Sequence, residues 1–161
     1  MAGAVLKKGD LGSFMLQKIS ELERRSGMRL GLAQKILLAE TGTTEQVLSI
    51  LTGSAIRVKV VEQTENGKTI SRRSVIMNEA DGVLIRAHSK VFVYNLPKRI
   101  ARQIKQKQLG IGTIIANSHL ETFRKIIEVG YDPGNRWVFR RYQIIYRKKI
   151  AFEIKEELVG V

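Results

Sequence analysis

Arg73 and Glu156 are the residues of this sequence whose type and spacing point to chemistry. The stretch Thr69–Asn78 reads TISRRSVIMN and alternates with a period of two, so as a strand it sets Arg73 on one face with Val75 and Met77. A guanidinium keeps its charge, and on an apolar face it needs a carboxylate or an anionic ligand. Near the other end of the chain, Phe152, Ile154, Glu156 and Leu158 share one strand face, while Glu153, Lys155 and Glu157 share the other. Glu156 is therefore a carboxylate on an apolar face. If both groups look into one interior, they either pair with each other or flank a ligand. Desolvating both ions can cost more than their attraction returns, which favours a site over an ion pair kept for stability alone. Arg72, of the opposite phase, faces with Ile70 and Ile76 and has no assigned role.

Composition narrows the partners. The 161 residues carry 28 Lys and Arg against 15 Asp and Glu, a net charge of +13. Such a field attracts nucleic acid, acidic lipid or a small polyanionic metabolite. Residues 97–107 hold five basic groups and no acid, and residues 136–149 hold six and no acid. Aromatic residues make up 6% of the chain and are scattered, which weighs against a stacking platform for single-stranded nucleic acid. There is no cysteine, so disulfide and thiolate chemistry are excluded. With two histidines, no glycine loop for phosphate and no metal-ligand cluster, neither a cofactor nor a metal is expected. The amino terminus lacks the apolar core of a signal peptide, and no apolar run approaches the ~18 residues of a membrane span. The expectation is a cytoplasmic protein of one domain, 1–161, with homo-oligomerisation left open.

The elements that must position these residues follow from periodicity. Three helices are expected within about 13–53: one capped by Ser13 and stopped at Gly27, one over 30–39 with Leu32, Ile36 and Leu37 on a shared face, and one from Thr43 or Thr44 to Gly53. Thr43 with Gln46 has the form of a capping box. From about 55 to 158 the period is two. A strand over 55–64 turns at Asn66-Gly67 into the arginine strand, and Asp81-Gly82 turns that into a strand over 83–93. Asn95-Leu96-Pro97 opens a basic helix. The period over 122–129 fits strand or helix, and the Asp132-Pro133-Gly134-Asn135 turn leads into a strand over 137–146 and a last one over 150–158. Hairpin-linked strands with segregated helices predict an α+β domain built on an antiparallel sheet of about six strands.

The order of these features resembles the chorismate–pyruvate lyase family, and more closely its archaeal-type branch, over about residues 36–158. The resemblance rests on Leu37-Leu38-Ala39-Glu40-Thr41-Gly42-Thr43-Thr44, Arg73 ahead of Asp81-Gly82, Leu96-Pro97 and Leu109-Gly110. It continues through Ile126-Ile127-Glu128-Val129-Gly130 and Arg140-Arg141 to the closing hairpin that bears Glu156. It implies a chorismate lyase-like fold and a cofactor-free enzyme that eliminates pyruvate from chorismate, leaving 4-hydroxybenzoate. Arg73 would then grip a substrate carboxylate, and Glu156 would hydrogen-bond the ring hydroxyl. Backbone N–H groups near Thr43 and Ile114 would complete the anion cradle, with the helix-entry loops as flaps. Where bacterial members carry a second arginine, this chain has Ser89, with Lys90 adjacent on the opposite face and His88 nearby. The same resemblance extends to the ligand-sensing domains of GntR-type repressors, so an aromatic-acid binding module without turnover is the alternative. A basic nucleic-acid-binding protein is the second.

Overall fold

The computed structural model describes residues 10–161; the signal-peptide reading of the amino terminus falls mainly on residues 1–9, outside them. Three helices come first: α1 (Leu11–Ser26), α2 (Leu32–Ala39) and α3 (Thr44–Thr52). Three strands follow, β1 (Arg57–Glu65), β2 (Thr69–Asn78) and β3 (Gly82–Phe92). A helical excursion, α4 (Lys98–Lys105) and α5 (Ile111–Asn117), separates them from β4 (Phe123–Asp132), β5 (Trp137–Tyr146) and β6 (Lys149–Leu158). The six strands form one antiparallel sheet in the order β1-β2-β3-β6-β5-β4, as the hairpin signals predict. No helix among the described residues is long and apolar enough to cross a membrane.

Local chemistry accounts for the element ends. Asp10, rather than Ser13, caps α1: its carboxylate accepts from the Ser13 N–H at 3.1 Å and the Ser13 hydroxyl at 2.7 Å. Gly27 and Gly53 close α1 and α3 with φ of 67° and 65°, left-handed values that favour glycine. Thr43 is the N-cap of α3 without a side-chain capping bond, so the expected box with Gln46 does not form. On α2 the buried face is Leu37 and Leu38, whereas Leu32 and Ile36 are exposed. The ambiguous 122–129 segment is strand. A register shift between Ile126 and Glu128 leaves Ile127 outside the ladder and exposed, which breaks the period of two.

All the helices lie over one face of the sheet, where two apolar clusters form. Ile19, Leu22, Leu30, Leu37, Leu38 and Leu48 pack on Ile76, Ile85, Val138 and Leu158. Ile100, Ile104, Ile111, Ile114 and Ile115 pack on Ile70, Val91, Ile144 and Phe152. Between the two clusters the same face turns polar. Cross-strand pairing sets Arg72, Ser89, Ile154 and Tyr142 in one row and Ser74, Ala87, Glu156 and Arg140 in the next. The small side chains at 74, 87 and 89 lower the floor of this seam, and that floor carries the candidate site.

Candidate active site

Glu156 stands where its strand phase puts it, buried on the inner face at 4% exposure. Its partner is Arg140, directly across the β5–β6 ladder, and not Arg73. Arg140 Nε donates to Glu156 Oε2 at 2.8 Å, while its terminal nitrogens donate to the Glu40 carboxylate, the Glu40 carbonyl and the Thr44 hydroxyl. Glu156 Oε1 accepts from the Tyr142 hydroxyl at 2.8 Å, and Thr44 Oγ1 lies 3.1 Å from it. The β5–β6 hairpin thus supplies the charges, and the loop between α2 and α3 closes over them.

The electrostatics follow from this packing. Burial opposes ionisation of Glu156, but the Arg140 charge and the hydrogen bonds from Tyr142 and Arg140 outweigh it and hold the carboxyl below its usual range. Burial and the neighbouring Glu156 charge push the Tyr142 phenol up, so it stays a neutral donor. Glu45 behaves in the opposite way. Its carboxyl accepts from Thr113 Oγ1 at 2.9 Å, yet burial raises its pKa. One cavity therefore holds two carboxyls driven apart, Glu156 toward the carboxylate and Glu45 toward the neutral acid.

The guanidinium on β2 is Arg72. It is 1% exposed, and it donates to Gln63 Oε1 at 2.9 Å, the Leu109 carbonyl at 2.9 Å and the Ile104 carbonyl at 2.6 Å. These bonds tie the end of α4 and the Leu109 loop to the sheet. Arg73 points the other way, its side chain 51% exposed and paired with Glu62. The apolar character of Val75 and Met77 misassigns the phase. Both are half-buried on the outer face, whereas Arg72, Ser74 and Asn78 line the inner one. An inner face that carries a polar site does not read as the apolar side of its strand.

The other expected site residues divide. Thr43 lines the cavity beside Thr44 and Glu45. Ile114 is a buried core residue of α5 whose N–H already donates to the Gly110 carbonyl at 3.0 Å, so it has no amide to offer an anion. Lys90 lies on the outer face, across the ladder from Glu153 and with its ammonium 5.3 Å from the Phe92 ring centre. Ser89 faces inward, as its phase requires, and His88 does not.

Two glycines before and within the first turn of α5 make room for the site. A methyl group at Gly110 would stand 2.4 Å from Glu45 Oε1 and 2.9 Å from Val58, and one at Gly112 would press on Thr43 at 3.2 Å and approach Arg124 Nη2 at 3.5 Å. The residues that periodicity alone leaves without a role are Arg140, Tyr142, Glu40, Thr44, Glu45 and Arg124. A signal for the first two was present. Val138, Arg140, Tyr142 and Ile144 share a phase, and the short 147–148 turn places that phase opposite Glu156. The cavity enclosed by Thr44, Glu45, Arg72, Arg124, Tyr142 and Glu156 measures about 40 Å³. That is far below the roughly 300 Å³ at which small-molecule sites begin, so the cavity in this form is closed to an occupant of that size. A larger depression, about 550 Å³, lies mainly along the outer face beside His88, Lys90 and Lys155.

No family model matches the sequence. "Putative lyase MJ0807" of Methanocaldococcus jannaschii is 31% identical over 140 residues, covering 76% of this chain and 76% of that protein. The chorismate pyruvate-lyase of Mycobacterium leprae is 28% identical over 77% of this chain and 72% of its own length. The chorismate pyruvate-lyase of Mycobacterium tuberculosis is 25% identical over 69% and 71%. With "Putative lyase MJ0807" related over three quarters of both chains and the mycobacterial chorismate pyruvate-lyases beside it, this chain belongs to the chorismate–pyruvate lyase family.

Proposed function

We infer that the protein eliminates pyruvate from chorismate to leave 4-hydroxybenzoate, with Arg72 in the role that the family resemblance implies for Arg73. The observation that carries the reading is the placement of Arg72 and Glu156 on one buried floor. They lie two strands apart and one row apart. With strands ~4.8 Å apart and ~6.6 Å per two residues, their Cα atoms are separated by roughly 12 Å. After the side chains reach in, that span suits a ring with a carboxylate at one end and a hydroxyl at the other. Arg72 keeps two N–H groups beyond the three bonded to protein, and these take the ring carboxylate. Glu156, held ionised, accepts from the ring hydroxyl. Thr43, on the α3 entry loop, forms part of the wall that closes over the substrate.

The reaction then asks the protein mainly for positioning. The proton on the hydroxyl-bearing carbon passes to the methylene of the enolpyruvyl group, which becomes the methyl of pyruvate. The ether bond at the neighbouring ring carbon breaks, and the electron pair of the lost C–H bond completes the aromatic ring. No external acid or oxidant enters. A buried carboxylate at the hydroxyl raises electron density at the carbon that loses its proton, and closure of the loops fixes the side-chain conformer. Incubating the purified protein with chorismate should release equal amounts of pyruvate and 4-hydroxybenzoate. Absence of both products across a wide temperature range removes the lyase reading. One observation favours a binding module without turnover: Glu156 already accepts from Arg140 and Tyr142 and lies beside the Thr44 hydroxyl. Tight binding of 4-hydroxybenzoate without pyruvate release from chorismate would decide for it.

A further inference from the structure

Among the described residues, Arg124 on β4 carries a buried guanidinium nitrogen that the protein leaves open. Each nitrogen of Arg140 and of Arg72 donates to a protein acceptor, and the two N–H groups left on Arg72 are those assigned to the first carboxylate. Arg124 is different. Among the described residues its Nη1 is buried without a hydrogen-bond partner, and its guanidinium carbon lies 5.2 Å from the centre of the Tyr142 ring. An unpartnered cationic donor is an expensive feature to keep in a folded protein, and a ligand anion offsets it. Arg124 also lines the cavity together with Glu45, Gly112, Tyr142 and Glu156.

We propose that Arg124 binds the second carboxylate of the substrate, that of the enolpyruvyl group. This rests on the lyase reading above. The order of substituents on the ring gives the reason. The ether that carries the second carboxylate is adjacent to the hydroxyl and remote from the first carboxylate, so its anion site must adjoin Glu156. Arg124 does so: it stacks on Tyr142, whose hydroxyl touches Glu156 at 2.8 Å. Ser89 is instead the direct cross-strand neighbour of Arg72, at the end that holds the first carboxylate. Gly112 keeps the approach to Arg124 Nη2 clear, since a side chain there would come within contact distance of it. Glu45 is the acidic group alongside, and burial raises its carboxyl pKa. Holding the second carboxylate fixes the ether torsion that brings the methylene to the departing proton, so the contact also positions the reacting atoms.

The test compares a monoanion with a dianion on the intact chain. The probes are 4-hydroxybenzoate and 3-(carboxymethoxy)-4-hydroxybenzoate, a stable compound with both carboxylates, titrated by calorimetry into wild type, Arg124→Gln and Arg124→Lys. Arg124→Gln should weaken the dianion at least tenfold and leave 4-hydroxybenzoate within twofold, while Arg124→Lys recovers part of the loss. With chorismate the same variant should raise KM at least tenfold. Equal weakening of both probes makes Arg124 a structural prop and overturns the assignment, as does no weakening of either. If the wild type binds both probes but releases no pyruvate from chorismate, the lyase reading fails, while the split between the probes still decides the role of Arg124. If the wild type binds neither probe, both readings fall.

Discussion

Both faces of the sheet carry arginine–glutamate pairs between neighbouring strands, and their surroundings give them different meanings. On the inner face, Arg140 and Glu156 have side chains 1% and 5% exposed, and each is bonded to further groups from the α2–α3 loop or the same hairpin. On the outer face, Arg73 pairs with Glu62 at about half exposure, Arg141 pairs with Glu128, and among the described residues neither pair joins a larger network. Water screens the outer pairs and makes them worth little. The inner pair is costly to assemble, costlier still to break, and stands where a ligand would sit. The same two residue types thus mark a solvated surface on one side and a buried candidate site on the other.

The largest effect that could break this contrast is loss of Arg140. Arg140→Ala leaves Glu156 and Glu40 as buried charges without their cation, and we expect a loss of about 3–5 kcal/mol in chemical denaturation. A cost under ~1 kcal/mol would mean that the inner pair behaves like the outer ones. Arg72→Ala comes next. Two backbone carbonyls and Gln63 lose their donor, for which we expect about 1–3 kcal/mol. Binding of 4-hydroxybenzoate should also fall beyond detection in calorimetry while the variant remains folded by circular dichroism. Unchanged affinity would take Arg72 out of the site.

The arginine pair also shows where the sequence could be read and where it could not. Turn dipeptides and strand periods gave the antiparallel sheet, and the phase of β6 put Glu156 inside, because Phe152, Ile154 and Leu158 are buried with it. The same logic failed on β2. There the inner face carries Arg72, Ser74 and Asn78, so apolarity no longer marks the inside. The bulge at Ile127 hid β4, and with it Arg124, from any count of alternation. Glu40, Thr44 and Glu45 reach the site from a loop and a helix start. Contacts across about a hundred residues, such as Arg140 to Glu40, have no local signature.

A pH series sharpens the contrast within the inner face. Glu156 has its folded pKa depressed, so its contribution is present above the unfolded carboxyl value and is lost as pH falls through the lower folded value. Glu45 has its folded pKa raised, so the fold loses stability as pH climbs from the unfolded value of about 4.5 through the folded one. Glu45→Gln should therefore remove a decline on the alkaline side of that value, and Glu156→Gln should flatten the acid limb. Denaturation midpoints measured from acid to neutral pH check both signs. An unchanged profile in Glu45→Gln would show that its carboxyl is solvated rather than buried beside Thr113.

The smallest expected effect is also the cleanest discriminator between adjacent arginines. Arg73→Ala removes an exposed guanidinium that pairs with Glu62, and half-exposed pairs of this kind are worth about 0.5 kcal/mol. Stability should change by no more than that, and a shift of this size should shrink further at high salt, where the outer charges are screened. Affinity for 4-hydroxybenzoate should stay within twofold, because no atom of Arg73 reaches the seam between the two apolar clusters. Should Arg73→Ala abolish binding while Arg72→Ala spares it, the site would have to lie on the outer face, in the depression beside His88, Lys90 and Lys155. The inner network would then be purely structural. One strand, two neighbouring arginines and one titration therefore decide which face of the sheet does the work.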